Sequence, residues 1–260
     1  MRAALIVALG LLSWQVPAPT NLHIVSEDTP EMAIALVAAP TKKTRVNFSG
    51  TTTVSHTPAA AGNLLVSVEA TFSTTIAELT LSDNQGGGWA NISTATGDAD
   101  SHVIIRWKIA ANTNAHTLTW TETGAGSADI EADIVEFSGM SATPNDVATN
   151  NTGTSAAPNV ASGTLAQAEE VIIAIASHTG GDTTWAVDGA GGYTQIGENE
   201  DNDLGQTYSS QYKIVAATTS DQADWALGAS RVWFAALASF KGAGGGGGPT
   251  VKTLAALGVG

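Results

Sequence analysis

The chain has no cysteine, which excludes disulfide staples, thiolate metal sites and a thiol nucleophile. Basic residues are scarce as well: ten lysines and arginines stand against 24 acids, for a formal charge of −14. The deficit is concentrated in residues 46–242, which hold 21 acids and five bases. A body of that sign repels phosphate, so direct nucleic-acid binding is not expected, and anionic membrane surfaces are disfavoured by the same repulsion. The apolar run Ala3–Leu12 falls well short of the roughly 20 residues a spanning helix needs, so no membrane span is expected. Charged residues make up only 13% of the chain, too few for long salt-bridged helices.

What the chain does have is Ala, Gly, Thr and Ser in quantity, and a repeat. Arg106-Trp107-Lys108-Ile109-Ala110-Ala111 returns about a hundred residues later as Gln211-Tyr212-Lys213-Ile214-Val215-Ala216. At nearly the same offset Trp120 maps to Trp225, Trp89 to Tyr193, and Glu136-Phe137-Ser138-Gly139 to Ser239-Phe240-Lys241-Gly242. Within each copy, Leu64–Ala70 and Val171–Ala176 are runs of branched residues, and Val103, Ile105, Trp107 and Ile109 alternate with His102, Arg106 and Lys108. Glycine-rich turns punctuate the strands at 82–88, 124–126 and 188–192.

The spacing predicts an all-β chain: an antiparallel β-sandwich of jelly-roll or concanavalin-like type built from two similar halves, or alternatively two tandem immunoglobulin-like sandwiches. The expected organisation is an arm over 1–45, a body over 46–242 with repeats 46–139 and 147–242, and a glycine-rich tether with an apolar strand over 243–260. The Met140–Asn151 stretch reads as a short connection without a flexible linker, which favours one fused body. In the arm, Asp28-Thr29-Pro30-Glu31 signals a helix start before the apolar run Met32–Val37. Met1–Leu12 has the form of a secretory signal, but Pro17 and Pro19 crowd the cleavage site, and an ordered arm is the preferred reading.

Chemistry is sparsely marked. The histidines, at 23, 56, 102, 116 and 178, show no ligand spacing and read as solvent-facing or hydrogen-bonded residues. No nucleophile elbow or phosphate loop is present, and no catalytic or cofactor-binding residue is assigned. Glu131 and Asp133, the close carboxylate pair on one strand face, read as an acidic outer face. Glu198, Glu200, Asp201 and Asp203 crowd one loop with the oxygen ligands calcium selects, but they match no EF-hand, and a solvated hairpin tip is the preferred reading. Trp89 and Tyr193, beside glycine turns, have the best claim to a sugar platform, although core placement is preferred for them too.

Ala61-Gly62-Asn63-Leu64-Leu65-Val66, Ser82-Asp83-Asn84 before Gly86-Gly87-Gly88-Trp89, Trp107-Lys108-Ile109-Ala110, Val135-Glu136-Phe137-Ser138-Gly139 and Asp146-Val147 follow one another in the chain. In this order they resemble β-sandwich structural proteins of tailed bacteriophages, a class of decoration, tail and fibre components with concanavalin-like or jelly-roll folds. The resemblance covers roughly 60–242 and carries no catalytic residue. It implies a non-enzymatic virion protein, a capsid decoration or tail-associated subunit, that forms homo-oligomers or meets other virion proteins. The expected assembly contacts are Leu5, Ile6 and Val7, the basic Lys42, Lys43 and Arg45, and Val251, Leu254 and Leu257. The alternative is an exported carbohydrate-binding or adhesive module, secreted or at a cell surface.

Overall fold

Leu64–Phe72 and Glu169–Thr179 carry small or branched residues on both faces, so neither strand can turn a side to water, and the architecture follows from that constraint. The computed structural model describes residues 33–72, 79–97, 100–124, 126–181, 183–187, 191–200 and 206–244. The first half comprises β1 (Ala35–Leu36), β2 (Thr41–Phe48), β3 (Gly50–His56), β4 (Leu64–Phe72), β5 (Leu79–Asp83), β6 (Ala90–Thr96), β7 (Ser101–Ile109), β8 (His116–Glu122) and β9 (Ala128–Ser138). The second comprises β10 (Met140–Ser155), β11 (Asn159–Ala161), β12 (Glu169–Thr179), β13 (Trp185–Val187), β14 (Thr194–Asn199), β15 (Gln206–Ala216), β16 (Gln222–Leu227) and β17 (Arg231–Gly242).

In the first half β1 and β2 both pair with β9, which continues as β9-β4-β7-β6, while β3-β8-β5 form a small sheet. The second half repeats the wiring as β10-β17-β12-β15-β14 and β11-β16-β13. Each half is thus an antiparallel jelly-roll sandwich whose innermost connection crosses from the small sheet to the edge of the large one. In the first half the crossing is made by the glycine-rich turn before Trp89.

The two large sheets also pack on each other. Leu64, Val66 and Val68 of β4 meet Val171, Ile173 and Ile175 of β12 in one central core. The intervening side chains Leu65, Ile172 and Ala174 point the other way, into separate cores beneath the two small sheets. The result is four β layers with three cores, and it unites the two expected arrangements: two complete sandwiches fused through their large sheets. Burial on both faces turns β9 and β12 into near-continuous buried strands, whereas β8, the middle strand of the first small sheet, alternates.

The halves are related reciprocally. Trp107 meets Phe240 edge-on, with ring centroids 6.1 Å apart and planes at 66°. Tyr212 meets Phe137 in the same way at 5.4 Å and 64°. Trp107 faces Val66 across its ladder and Tyr212 faces Ile173, so the two are structural equivalents. Trp120 and Trp225 likewise sit buried in the middle strands of the two small sheets. Even a bulge is repeated, between Asn91 and Ser93 in β6 and between Gln195 and Gly197 in β14.

Three boundaries differ from the sequence expectation. The run expected as a helix after Asp28 contains β1, because Ile34 and Leu36 gain burial against the central core when Ala35 and Leu36 pair with Ser138 and Phe137. Lys42 and Lys43 belong to β2, an integral strand of the first half and not an arm. The stretch expected as a connection, Met140–Asn151, is most of β10, which pairs with β17 along almost its whole length. Edge strands keep few core side chains, so the duplication left no landmarks there.

A shared central core makes the halves one cooperative unit. Calorimetry should give a single transition with matching van't Hoff and calorimetric enthalpies, and Phe137→Ala and Phe240→Ala should each cost roughly 3–5 kcal/mol. Two resolved transitions, of which each substitution moved only one, would show that the halves fold independently.

Candidate functional site

The crossing turn of the first half begins at Asp83, the last residue of β5, and must carry the chain around the sandwich edge to β6. Gly86 and Gly87 make the bend with φ of 69° and 73°, the left-handed region that glycine enters freely. Asp83 organises the bend. Its Oδ1 accepts from Gln85 N at 2.8 Å, an Asx turn. Its Oδ2 accepts from Lys108 Nζ at 2.6 Å, from Trp89 Nε1 at 2.9 Å and from His116 Nδ1 at 3.2 Å. Lys108 Nζ also donates to Gly86 O at 2.7 Å and stands 5.9 Å from the centroid of the Trp89 ring. Burial pushes the Asp83 carboxyl up, but the bonds from Lys108, His116, Gln85 and Trp89 together outweigh it and hold the group below the usual carboxylate range.

The second half builds the same corner from different parts. Lys213 Nζ lies 5.4 Å from the centroid of the Tyr193 ring and is paired with Asp221, which comes from the β15–β16 turn. The lysine and the aromatic are the duplicated pieces, and the acid is supplied from elsewhere. Trp89 and Tyr193 are therefore core residues, 8% and 5% exposed. Burial, reinforced by Asp221 and Asp224, raises the Tyr193 hydroxyl far above its ordinary range.

Beside the first corner lies a cleft of about 290 Å³, lined by Gln85, Gly87, Gly88, Trp107, Ile109 and Ala111 among others. Trp107, a core residue by its sequence pattern, is only half-buried and contributes to this cleft. The signal that could have found it is its position at the end of β7, directly across from Ala90 where the glycine turn lands.

The residues singled out in the sequence are placed as follows. Glu198 and Glu200 are exposed; Glu198 accepts from Gln195 Nε2 at 2.5 Å, and Glu200 accepts from Trp185 N at 2.9 Å. Asp201 and Asp203 lie outside the described residues, as do Leu5, Ile6, Val7, Val251, Leu254 and Leu257. Among the described residues no three metal-capable side chains converge. Lys43 donates to Thr53 O of its own chain at 3.0 Å, and Lys42 is exposed. Only the backbone of Arg45 is described.

Glu131 and Asp133 do not form an acidic outer face. They point into the junction with the second half, where Asp133 Oδ2 accepts from Tyr208 Oη at 3.0 Å and Ser210 Oγ at 3.1 Å, and Glu131 Oε2 accepts from Asn199 Nδ2 at 2.9 Å. A Cβ on Gly197 would stand 2.0 Å from Asp133 Oδ2, so only glycine fits there. Burial raises the Asp133 carboxyl, against the opposing pull of Lys42 and the two hydroxyls.

The four described histidines are buried and hydrogen-bonded, none of them facing solvent. His56 lies between Thr41 Oγ1 and Glu136 Oε2, His102 bonds Thr96 Oγ1, and His116 serves Asp83. His178 Nε2 accepts from Thr207 Oγ1 at 2.6 Å, and its ring stacks on Trp185 at 5.3 Å. Burial holds its imidazole at about 4, with the Thr179 backbone opposing and Arg231 reinforcing.

Two outcomes follow. Asp83→Ala leaves the Lys108 ammonium buried without its anion and should cost roughly 3–5 kcal/mol in urea unfolding; a loss below about 1 kcal/mol would remove Asp83 as the organiser of the corner. His178 is neutral when folded and takes up a proton on unfolding below about pH 6.5. Its contribution is therefore complete above that pH and is lost as pH falls towards about 4, by at most on the order of 3 kcal/mol. His178→Gln should flatten the fall of Tm across this window relative to the parent, and parallel curves would count against the assignment.

Compared with known proteins, the chain matches no family model, no curated protein and no solved structure.

Proposed function

We propose that the protein is a non-enzymatic structural subunit of a virion, a capsid decoration or tail-associated component that assembles with copies of itself or with other virion proteins. The observation that carries this reading is the outer edge of β10. This strand runs for 16 residues, bears Asp146 as its one charge, and pairs with β17 on one side and with no strand on the other among the described residues. A long edge with a single charge is a template for another chain, and soluble monomers normally blunt such edges more heavily. The corresponding edge of the first half carries Lys42 and Lys43, so the two edges differ in sign. An acidic body with one basic edge suits contact between copies, weakened by salt. Jelly-roll sandwiches serve as coat and lectin domains, an analogy at the level of fold that agrees with the resemblance carried by the turn motifs. The apolar residues Val251, Leu254 and Leu257 at the end of the sequence, and Leu5, Ile6 and Val7 at its start, supply further contact material.

Light scattering on the full chain should report a multimer whose mass falls with dilution or added salt. Asn150→Lys with Thr152→Lys on β10, or deletion of residues 1–20 or of everything after Gly242, should shift it towards the monomer. If the intact chain and all three variants run as the same monomer at high concentration, the reading is wrong.

A further inference from the structure

We propose that the cleft beside the Gly86–Gly88 turn binds a neutral saccharide, one pyranose ring at a time. Its volume of about 290 Å³ suits a single ring and is too small for an extended ligand. Trp107 and Ile109, both half-buried, give it an apolar side, and Gln85 lines it with an amide whose Nε2 donates to Ala115 O and whose Oε1 accepts from Asn112, each leaving capacity for one further bond. The opposite side is exposed glycine backbone. A Cβ on Gly86 or Gly88 would meet nothing within 4 Å, and one on Gly87 would stand 3.8 Å from Lys108 Nζ, so a ligand can approach the peptide groups closely. An aromatic surface set against hydrogen-bonding backbone and amide groups is the combination that takes a sugar, with apolar C–H faces and hydroxyl edges.

Charge decides between ligand classes. The ammonium of Lys108 is held by Asp83 and Gly86 O, and Asp83 in turn accepts from Gln85, Trp89, Lys108 and His116. The cleft therefore offers neither a free cation for an anionic ligand nor a free carboxylate for a cationic one, and the net charge of −14 repels anions generally. The Lys213–Tyr193 pair of the second half accounts for Lys108 and Trp89 as a duplicated structural clamp, which leaves Trp107 and the glycine turn as the parts a ligand would use. The proposal does not depend on assembly, because a monomer would carry the same cleft.

The test is saturation-transfer NMR on the full chain with glucose, galactose, mannose, N-acetylglucosamine, maltotriose and cellotriose, and with glucuronate as the charged control. At least one neutral sugar should give signals that titrate, with glucuronate at least tenfold weaker than glucose. Gly88→Gln and Ala111→Gln, both at exposed positions without positive φ, should weaken binding at least tenfold at unchanged Tm. Trp107→Ala should do the same, and the two glutamine variants keep the test valid if losing the Phe240 contact lowers its stability. Absence of binding by every neutral sugar would overturn the proposal. So would binding that Gly88→Gln and Ala111→Gln both leave unchanged, or glucuronate binding as tightly as glucose. A monomer by light scattering that still binds sugar would remove the assembly reading and leave this one standing.

Discussion

The central core between the two large sheets is the constraint on which the rest of the structure depends. Once β4, β9, β12 and β17 are covered on one face by the opposite half and on the other by a small sheet, none of them has a solvent side, and every polar residue they carry must find a partner. Glu69 on β4, Glu136 on β9 and His178 on β12 are consequences of that burial. Glu136 shows the pattern: its Oε1 accepts from Ala59 N at 2.9 Å and Asn63 Nδ2 at 2.5 Å, and His56 lies 3.3 Å from Oε2. The turn that leads into β4 is thereby tied to the neighbouring strand β9.

The two halves meet the same demand with different chemistry. In the first, Glu69 and Arg106 form an ion pair at 2.9 Å between the large and small sheets, and burial raises Glu69 against the pull of Arg106. At the equivalent places the second half has Ala176 and Gln211, which face Ser209 and Ala174 across their ladder, and the Gln211 amide donates to Asp224 O at 3.1 Å. A buried ion pair contributes little net stability over an apolar or amide replacement, because desolvation offsets most of the attraction. Removing one partner alone is the costly step, so the exchange reaches the same fold only if both positions change together.

The sequence made face membership legible but not what covers each face. Val103, Ile105 and Trp107 do share one side of β7, and His102, Arg106 and Lys108 the other. A run of alternating charges reads as solvent-exposed in one dimension, and only the partners, Glu69 for Arg106 and Asp83 for Lys108, make its burial affordable. Those partners lie 37 and 25 residues away, in separate strands, beyond the reach of any periodicity. Asp133 was hidden for a related reason: its partners Tyr208 and Ser210 belong to the other half, so the pair Glu131 and Asp133 resembles an exposed acidic face until the halves are stacked. The glycine corner was visible as a turn, but the cleft beside it was not, since Trp107 follows the same alternation as true core residues.

Reciprocal contacts explain both the symmetry and its breakdown. The Trp107–Phe240 and Tyr212–Phe137 pairs are one contact made twice, with equivalent residues exchanging roles, which is the signature of an isologous two-fold interface. Two separate copies of one sequence would be bound to identical chemistry on both sides of such an axis. In a single chain each side varies alone. Glu131 can accept from Asn199 on one side while its counterpart Phe234 fills the space at Gly97 on the other, where a Cβ would come within 2.2 Å of its ring. A carboxylate at one place and a phenyl ring at its counterpart are incompatible with exact symmetry but compatible with a fused pair. The same freedom lets one corner keep three consecutive glycines and a half-exposed tryptophan while its twin has tyrosine at both aromatic positions. A central core shared by both halves holds the fold fixed, and this permits the outer corners to diverge.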